Sequence, residues 1–409
     1  MSGTPRNLEL DRLRAIAALL TFYVHFHQVF YPWSFTMHYA RPASLADLLG
    51  NAWAGVDLFF VISGYIISRT LVGGLDSLRH RPNALAAYVK MFYVRRIFRI
   101  MPVAWCVVAI VILCGALLNE GQYFADSTYN VQAALSIFTY TFNFWLPDNK
   151  IAQGVPLAPF WSLSVEEQFY LIFPLFMISV WTLRWRVVIL VGLLAFISFF
   201  LRPYSLSDPI KVFFYTQTRC DGLIYGCLLY FASTRPWFAS LRVSLGRRRH
   251  AGCALALLLS LVLGSITALD FSNTLLIPVV SILSVLLVFM AICEADLVSF
   301  PRLLQAILDC IGKRSYTLYL VHLPMFYLTT ELMFRYARAR QIPIAQNLWL
   351  EYTLLMLALV IVVTECLHRF VEVPMIARGK RLSASIMQRE VSNAIHSSSN
   401  PEAAYNRGK

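Results

Sequence analysis

The chain is short of charged residues. Only 14% of its 409 residues are Asp, Glu, Lys or Arg, whereas soluble domains average about 25%. Its mean hydropathy is +0.61, and its apolar residues occur in long runs, such as 102–118 and 274–292. Each run approaches the roughly 20 apolar residues that cross a ~30 Å hydrocarbon core. This composition excludes an ordinary soluble fold and predicts a multi-pass membrane protein.

Several sequence signals are missing. The eight Cys form no CxxC pair and most of them lie in apolar runs, so we expect small packing residues rather than a zinc finger, another metal site or a disulfide framework. The first long apolar segment is followed by a second one and not by a small-residue cleavage site, so we expect no cleavable signal peptide. The sequence shows no internal repeat, which is the signature of many transporters.

The net charge of +13 would in a soluble protein indicate binding to nucleic acid. Here the Lys and Arg residues cluster in particular loops between apolar segments, which is the pattern of the positive-inside rule. The charge therefore predicts topology and contact with membrane lipid, and no nucleic-acid partner.

The apolar segments predict an all-α helix bundle with about ten membrane spans. A further apolar segment, 131–146, is short and rich in Thr, Tyr, Phe and Asn, and we interpret it as re-entrant or interfacial. The ten predicted spans are 14–34, 50–69, 101–119, 165–183, 187–202, 216–233, 251–269, 274–294, 315–334 and 350–371.

Loop charges support this assignment. With the N-terminus in the cytoplasm, the basic loops 70–100, 234–250 and 295–314 all lie inside, and the outer segment 119–164 holds a single basic residue, Lys150. If 131–146 crossed the membrane, the later loops would invert and the Arg-rich ones would face outward. One predicted outer loop, 335–349, does not follow the positive-inside rule, because it contains Arg335, Arg338 and Arg340.

The predicted organisation is a membrane domain over 1–378 with both termini in the cytoplasm. The remaining residues, 379–409, are polar and rich in Ser, Asn, Lys and Arg, and they predict a disordered cytoplasmic tail. We expect the protein to reside in the plasma (inner) membrane of a cell.

The first predicted span carries ionisable residues, which are expensive inside a membrane and mark candidate functional sites. Arg14 lies at its inner edge and His25 follows eleven residues later. Eleven residues place His25 about 16 Å deeper and, being close to three turns, on the same helix face. The pattern indicates a polar path into the bilayer. A buried imidazole that donates to a backbone carbonyl is the alternative for His25 alone.

The cytoplasmic stretch YVRRIFRIMP holds Arg95, Arg96 and Arg99 before Pro102. Arg95 and Arg99 are i,i+4 neighbours that can converge on one anion, and guanidinium groups suit phosphate oxygens. Contact with lipid head groups is the alternative for any one of them.

The segment FWSLSVEEQFY is the most informative in the chain. Ser164 can cap a helix that begins there, with Glu166 and Glu167 in its first turn, where the helix dipole favours carboxylates. Capping does not explain why Trp161 and Tyr170 lie beside them, so the segment is also a candidate site.

Two other groups of polar residues lie in predicted spans. Arg219 and Asp221 lie at the outer edge of one span, where a structural pair and a substrate-binding role are equally compatible with the sequence. Tyr319 and His322 are i,i+3 on another span and therefore share a helix face. Asp57 lies within the second span, and Ser63-Gly64 near its inner end permits close helix packing.

Taken together, these segments resemble the acyltransferase 3 family of integral membrane acyltransferases. The matching features cover about residues 8–375 in the family's order. They are Arg14-x10-His25, Phe59-Phe60-x-x-Ser63-Gly64, Arg95-Arg96-x-x-Arg99-x-x-Pro102, Trp161 to Tyr170, Arg219-x-Asp221-x-Leu223-x-x-Gly226, Ser315-Tyr316-x-x-Tyr319-x-x-His322-x-Pro324 and Glu372-x-Pro374.

The resemblance implies O-acylation of a carbohydrate or glycolipid acceptor with cytoplasmic acyl-CoA, usually acetyl-CoA, as the donor. Acceptors in such a family include O-antigen, exopolysaccharide and nodulation lipo-oligosaccharides. Some members carry a fused SGNH-type domain. The sequence contains no such domain, so we expect the membrane domain itself to complete the transfer.

The resemblance also implies residue roles. We expect His25 to act as general base, with Glu167 or Glu166 orienting the imidazole or the acceptor. The sequence leaves open whether the acceptor attacks the donor directly or His25 itself carries the acyl group. The expected ligands of the CoA phosphates are Arg14, Arg95, Arg96 and Arg99. The expected substrate-binding residues are Trp161, Ser164, Tyr170, Arg219, Asp221, Tyr319 and His322.

Two other classes of function remain open at the level of sequence. Intramembrane His, Asp and Arg residues also suit the proton relay of a transporter or flippase. An inactive scaffold in a polysaccharide assembly complex is the third possibility. The cytoplasmic Arg cluster and the FWSLSVEEQFY segment favour the enzyme, because a transporter needs neither.

Overall fold

The structure, a computed structural model, describes residues 7–30, 53–149, 155–246, 249–266, 276–341 and 348–399. All regular structure in these ranges is helical. The ends of four predicted spans (14–34, 50–69, 251–269 and 274–294) lie outside the described residues. So do Lys150, Arg247 and Arg248 of the loop-charge argument.

Sixteen main helices are numbered here in chain order. They are α1 Leu8–Phe30, α2 Gly55–Ser77, α3 Pro82–Leu117, α4 Ser127–Phe138, α5 Phe142–Asp148, α6 Phe160–Ser179, α7 Leu183–Phe196, α8 Pro209–Phe214, α9 Thr216–Arg219, α10 Asp221–Ser233, α11 Pro236–Gly246, α12 Arg249–Ile266, α13 Leu276–Ile292, α14 Arg302–Arg340, α15 Trp349–Leu367 and α16 Val373–Ser399. Short turns follow α7, beginning with the π-helical turn Ile197–Leu201. A second π-helical turn, His368–Glu372, joins α15 to α16.

Four helices in the described part of the chain are long and apolar enough to cross a membrane: α2, α3, Leu183–Tyr204 and Leu350–Gln388. The segments His250–Leu263 and Leu276–Ile292 are apolar but shorter. Each of the ten predicted spans overlaps helical structure in the described residues, although 216–233 comprises two helices, α9 and α10, and 187–202 extends from α7 through the π-helical turn. The chain is thus an all-helical membrane protein, while the count of ten spans and the orientation of the termini remain predictions.

The longest helices extend beyond the spans predicted for them. The 39 residues of α14 amount to about 58 Å and the 36 residues of α3 to about 54 Å, at 1.5 Å per residue. Both lengths exceed a ~30 Å hydrocarbon core. The predicted cytoplasmic stretch with Arg95, Arg96 and Arg99 is therefore not a loop but the middle of α3, continuous with the span that follows it.

Segment 131–146 forms two short helices, α4 and α5, joined at residues 139–141. Their 12 and 7 residues give about 18 Å and 10 Å, so neither crosses a bilayer. Asp126 caps α4 by accepting a hydrogen bond from the Tyr129 amide at 2.8 Å. Gln168 holds the join, because its amide donates to the Tyr140 carbonyl and, at 2.9 Å, to Asn143. This geometry agrees with a non-spanning segment.

Two of the arginines in the predicted outer loop 335–349, which do not follow the positive-inside rule, have acidic partners. Arg335 pairs with Glu331 at 2.8 Å and with Glu120 at 3.6 Å, and Arg338 also pairs with Glu120. Glu331 in turn accepts hydrogen bonds from the backbone amides of Glu120 and Gly121 at 2.8 and 2.9 Å. These arginines stabilise a junction between two segments, so they carry little information about topology.

Close packing of α2 against α10 fixes the middle of the bundle. A Cβ at Gly64 would lie 2.0 Å from the Leu223 carbonyl oxygen, and one at Gly226 would lie 2.2 Å from that of Val61. Only glycine fits at either position, as in small-xxx-small helix contacts. The packing interpretation of Gly64 is therefore confirmed.

The chain does not become disordered at residue 379, because α16 continues to Ser399. Gly379 lies against Phe98 of α3, and the Ser383 hydroxyl donates to the Gly379 and Met91 carbonyls at 2.7 and 3.4 Å. Met387 also packs on the core. Residues 379, 383 and 387 form an i,i+4,i+8 stripe that faces α3. Two of the three residues in this stripe are Gly and Ser, so the amino-acid composition of 379–409 did not indicate a packed helix.

Candidate active site

Two histidines meet where α1 packs along α14. Nδ1 of His25 lies 2.8 Å from Nε2 of His322, and the two ring planes are inclined by 26° with centroids 5.0 Å apart. The other ring nitrogen of His322, Nδ1, lies 3.2 Å from the Leu318 carbonyl oxygen. The predicted base therefore has a histidine as its partner, and among the described residues no hydrogen bond joins His25 to Glu166 or Glu167. That one of these carboxylates orients the acceptor stays a prediction.

The carbonyl of Leu318 fixes the protonation pattern of this pair. A carbonyl oxygen only accepts, so Nδ1 of neutral His322 carries the proton and its Nε2 is an acceptor. Nδ1 of His25 must then donate to that acceptor, which leaves the lone pair of a neutral His25 on Nε2. The arrangement produces an imidazole prepared to take a proton at one defined atom.

Apolar and phenolic rings surround the histidine pair. Phe326 meets the His322 ring edge-on at 5.6 Å, and Phe22 meets Phe326 at 4.9 Å. Tyr319, one helical turn from His322, donates or accepts a hydrogen bond of 2.7 Å with Ser162 of α6. The predicted neighbours Tyr319 and His322 thus do share a face, and that face contacts both α1 and α6.

Glu166 has other partners. Its Oε1 accepts a 2.7 Å hydrogen bond from the Ser63 hydroxyl of α2, and its Oε2 accepts a 3.4 Å bond from Tyr170. Arg14 and Arg96 both act on this carboxylate electrostatically. The structure therefore joins the FWSLSVEEQFY segment to the Arg residues predicted for donor binding. The sequence analysis considered Ser63-Gly64 only for helix packing and did not identify Ser63 as a hydrogen-bond partner of Glu166.

Glu167 is the least satisfied acidic group here. Its side chain is 7% exposed, and in the part of the chain that the structure describes its Oε1 has no hydrogen-bond partner. Arg96 attracts this carboxylate and Glu166 repels it. A buried carboxylate oxygen without a donor costs free energy. This makes Glu167 a candidate group for contact with a ligand or for exchange of a proton.

Three of the four predicted donor ligands lie together. Arg99 interacts electrostatically with Arg14 and Arg96, and the Arg96 guanidinium lies 4.8 Å above the Tyr170 ring. Buried like charges repel one another unless an anion joins them. Arg95 is exposed and interacts with Tyr88, so the structure places it apart. We call Arg14, Arg96, Arg99, Glu166 and Glu167 the arginine–carboxylate cluster.

The capping interpretation of Ser164 is wrong. Helix α6 begins at Phe160, so Ser164 lies inside it and its hydroxyl bonds back to the Phe160 carbonyl at 3.1 Å. Glu166 and Glu167 therefore lie beyond the first turn, away from the amide groups of the N-terminus. The start was misplaced because the aromatic pair Phe160-Trp161 precedes the polar residues and carries the first turn.

The residues Trp161, Arg219 and Asp221 belong to a different set of contacts. Arg219 forms an ion pair with Asp57 at 2.9 Å, and Asp221 forms one with Arg202 at 2.6 Å. All four charged side chains are buried. We call these four residues the paired cluster. These partners favour the structural alternative for Arg219 and Asp221, and Arg202 is a partner that the sequence did not indicate.

Aromatic rings enclose the Arg219 guanidinium. Its central carbon lies 5.0 Å from the Phe213 ring, 5.5 Å from that of Trp53 and 5.6 Å from that of Trp161. Cation–π contacts of this kind stabilise a desolvated guanidinium. Trp161 is itself buried, so its ring contacts Arg219 rather than an exposed ligand surface.

The chain is similar in sequence to known proteins. Residues 7–365 match the family described as "Acyltransferase domain". The chain is 28% identical over 365 residues to the peptidoglycan O-acetyltransferase OatA of Listeria monocytogenes, covering 82% of this chain and 54% of that protein. It is 27% identical over 365 residues to the O-acetyltransferase OatA of Staphylococcus aureus, covering 84% and 56%.

These matches have a defined extent. The chain spans about half the length of the curated relatives it matches. No solved structure matches the chain. The matched region contains α1 through most of α15 and therefore both the histidine pair and the arginine–carboxylate cluster.

Proposed function

The chain belongs to the Acyltransferase domain family, and from this premise we propose that it is an O-acetyltransferase that moves an acetyl group from acetyl-CoA to a hydroxyl of a cell-surface or lipid-linked saccharide. The saccharides we propose are peptidoglycan, O-antigen, exopolysaccharide or lipo-oligosaccharide, at the plasma (inner) membrane. One observation carries the proposal: His25, whose hydrogen bond to His322 leaves its Nε2 lone pair free, lies on the same helix, α1, as Arg14 of the arginine–carboxylate cluster.

The donor fits the arginine–carboxylate cluster. Three arginines from α1 and α3 converge there, and planar guanidinium groups bind phosphate oxygens through paired donors. Arg14 lies eleven residues before His25 on α1, about 16 Å along the helix axis. We propose that the CoA phosphates bind this cluster and that the extended pantetheine arm carries the thioester toward His25.

The chemical step follows from the tautomer of the histidine pair. Nε2 of His25 removes the proton from the acceptor hydroxyl while the hydroxyl oxygen attacks the thioester carbonyl carbon. The tetrahedral intermediate collapses, the carbon–sulfur bond breaks, and CoA leaves as a thiolate that takes up the proton. His322 accepts the hydrogen bond from His25 and stabilises the imidazolium by holding its orientation.

His322 is thus a positioning residue, and a conservative variant separates that role from packing. In His322→Gln the side-chain oxygen can still accept from Nδ1 of His25, whereas in His322→Leu nothing accepts. We expect His322→Gln to retain at least about ten times the kcat of His322→Leu, because one oriented hydrogen bond to the base is kept. Thermal unfolding midpoints should match. Equal kcat values in the two variants would contradict the role.

The function itself is tested on glycans. Cells that contain the wild-type chain, His25→Ala or no chain are compared by mass spectrometry of peptidoglycan, surface polysaccharide and lipid-linked sugars. We expect an acetyl-sized mass difference only with the wild type, and its position names the acceptor. The absence of any acyl mass on any glycan, with the protein well expressed, would contradict the proposal and favour a transporter or flippase.

A further inference from the structure

A buried acidic group lies next to the arginine–carboxylate cluster and has no part in the function proposed above. Glu372 ends the π-helical turn His368–Glu372 and is 5% exposed. The Thr317 hydroxyl donates to its Oε2 at 2.6 Å, and Nδ1 of His368 lies 2.7 Å from the same oxygen. Two donors on one oxygen fix the carboxylate in one orientation.

The π-helical turn explains how this clamp is built. A π-turn inserts one residue into an α-helix and frequently occurs at functional sites. Here it follows the last apolar helix and places His368 and Glu372, four residues apart, side by side. The proline at 374 lies just beyond it, inside the continuous helix Leu350–Gln388, and has no amide hydrogen to donate to a carbonyl of the preceding turn.

Glu372 faces Arg99. The two groups interact electrostatically, and the contacts around them put them at one level of the bundle. Tyr316, next to Thr317 on α14, donates to the carbonyl of Ile100, the residue after Arg99, at 2.7 Å. Tyr316 also interacts with both Glu372 and Arg99. One turn of α14 therefore connects the clamped carboxylate to the arginine.

The clamp leaves Arg99 able to bind a ligand. Both hydrogen bonds hold Glu372 to α14 and to the π-helical turn, and no ion pair joins it to Arg99 among the described residues. A fixed negative charge nearby offsets the repulsion of Arg14 and Arg96 and holds the guanidinium in the cluster. At the same time it leaves the N–H groups of Arg99 for another anion.

We propose that Glu372, clamped by Thr317 and His368, is a positioning residue that aligns Arg99 with a phosphate group of the CoA donor. The inference rests on the proposed function, because it requires CoA to bind the arginine–carboxylate cluster. Glu372 touches neither the thioester nor the acceptor, so its effect falls on donor binding and not on the chemical step.

The experiment measures CoA binding to the purified full chain in nanodiscs by titration calorimetry, together with acetyl-CoA kinetics. The variants are Glu372→Gln, Glu372→Asp and Thr317→Val, with Glu351→Gln as the control, because Glu351 is an exposed carboxylate on α15. We expect Glu372→Gln to weaken CoA binding about tenfold, with kcat at saturating donor within about twofold. Thr317→Val should weaken CoA binding less, and Glu372→Asp should recover part of the loss. The control should match the wild type.

A double-mutant cycle separates positioning from structural support. In an Arg99→Lys background we expect Glu372→Gln to change the Kd for CoA by less than about twofold, since the arginine that it aligns is gone. Additive effects in the two backgrounds would overturn the inference, as would unchanged CoA binding in a well-folded Glu372→Gln. If Glu372→Gln does not fold, Thr317→Val carries the same test.

Failure of the wider proposal gives a different result. If the wild type itself does not bind CoA, the proposal that CoA is the donor is wrong, and the proposed role of Glu372 is wrong as well. If the wild type binds CoA and both Glu372→Gln and Thr317→Val bind it equally well, only the inference about Glu372 is overturned.

Discussion

Two clusters of charged residues in the described part of the bundle differ in how their charges are paired. In the paired cluster, Arg219 and Asp57 form one direct ion pair, and Arg202 and Asp221 form another. In the arginine–carboxylate cluster, Glu166 is instead bonded to neutral hydroxyl groups. Burial of charge alone therefore does not identify an active site in a membrane protein. The informative feature is a buried charge that is held in place but not neutralised.

The largest effect we expect comes from breaking the paired cluster. In Arg219→Ala, Asp57 remains buried without its partner, which costs about 3–5 kcal/mol. We expect loss of most folded protein on detergent extraction, measured by fluorescence-detected size exclusion. The double variant Arg219→Ala/Asp57→Ala should be recovered better than the single one. A fully stable Arg219→Ala with altered acceptor selectivity would instead support the substrate-binding role.

The opposite outcome is expected in the arginine–carboxylate cluster. Glu167→Gln removes a charge whose Oε1 has no hydrogen-bond donor among the described residues, so the unfolding midpoint should stay equal or rise. Acetyl transfer should fall by about a hundredfold if this carboxylate takes part in proton transfer or acceptor binding. Unchanged turnover in Glu167→Gln would show that the Glu167 carboxylate has no role in catalysis, although its Oε1 lacks a hydrogen-bond donor among the described residues.

Neighbouring arginines of α3 sharpen the comparison further. Arg96 lies in the cluster over Tyr170, whereas Arg95 is exposed. We expect Arg96→Lys to raise the KM for acetyl-CoA about tenfold, because an ammonium group cannot reproduce a planar guanidinium contact. Arg95→Lys should stay within about twofold of the wild type. If the two substitutions raise the KM for acetyl-CoA equally, Arg95 also takes part in binding the donor, which would contradict the distinction made here between Arg95 and Arg96.

Sequence patterns predicted the helical elements well because apolar runs and loop charges are local signals. They could not place helix starts such as Phe160, where aromatic residues form the first turn. They also missed the packed helix after residue 379, since its contact face consists partly of Gly and Ser. The apolar content of a segment predicts how much apolar surface it can bury. Small residues such as Gly and Ser add little to that content even where they form close contacts between helices.

The residues of the site were predicted better than their partners. Arg14 and His25 were identified from the cost of ionisable groups in an apolar run. The segment FWSLSVEEQFY indicated Glu166, and the basic stretch before Pro102 indicated Arg96 and Arg99. The partner of His25 was not identified, because His322 lies 297 positions away along the chain and only the packing of α1 on α14 unites them. The paired cluster was missed for the same reason, since Arg219 and Asp57 are 162 positions apart.

The most direct test of the account concerns His25. Purified wild-type and His25→Ala chains in nanodiscs are given acetyl-CoA and a soluble glycan acceptor, and CoA release, glycan acetylation and CoA affinity are measured together. The account predicts that His25→Ala binds CoA with unchanged affinity while acetyl transfer falls by at least about a thousandfold. A well-folded His25→Ala that transfers acetyl groups at the wild-type rate would contradict it.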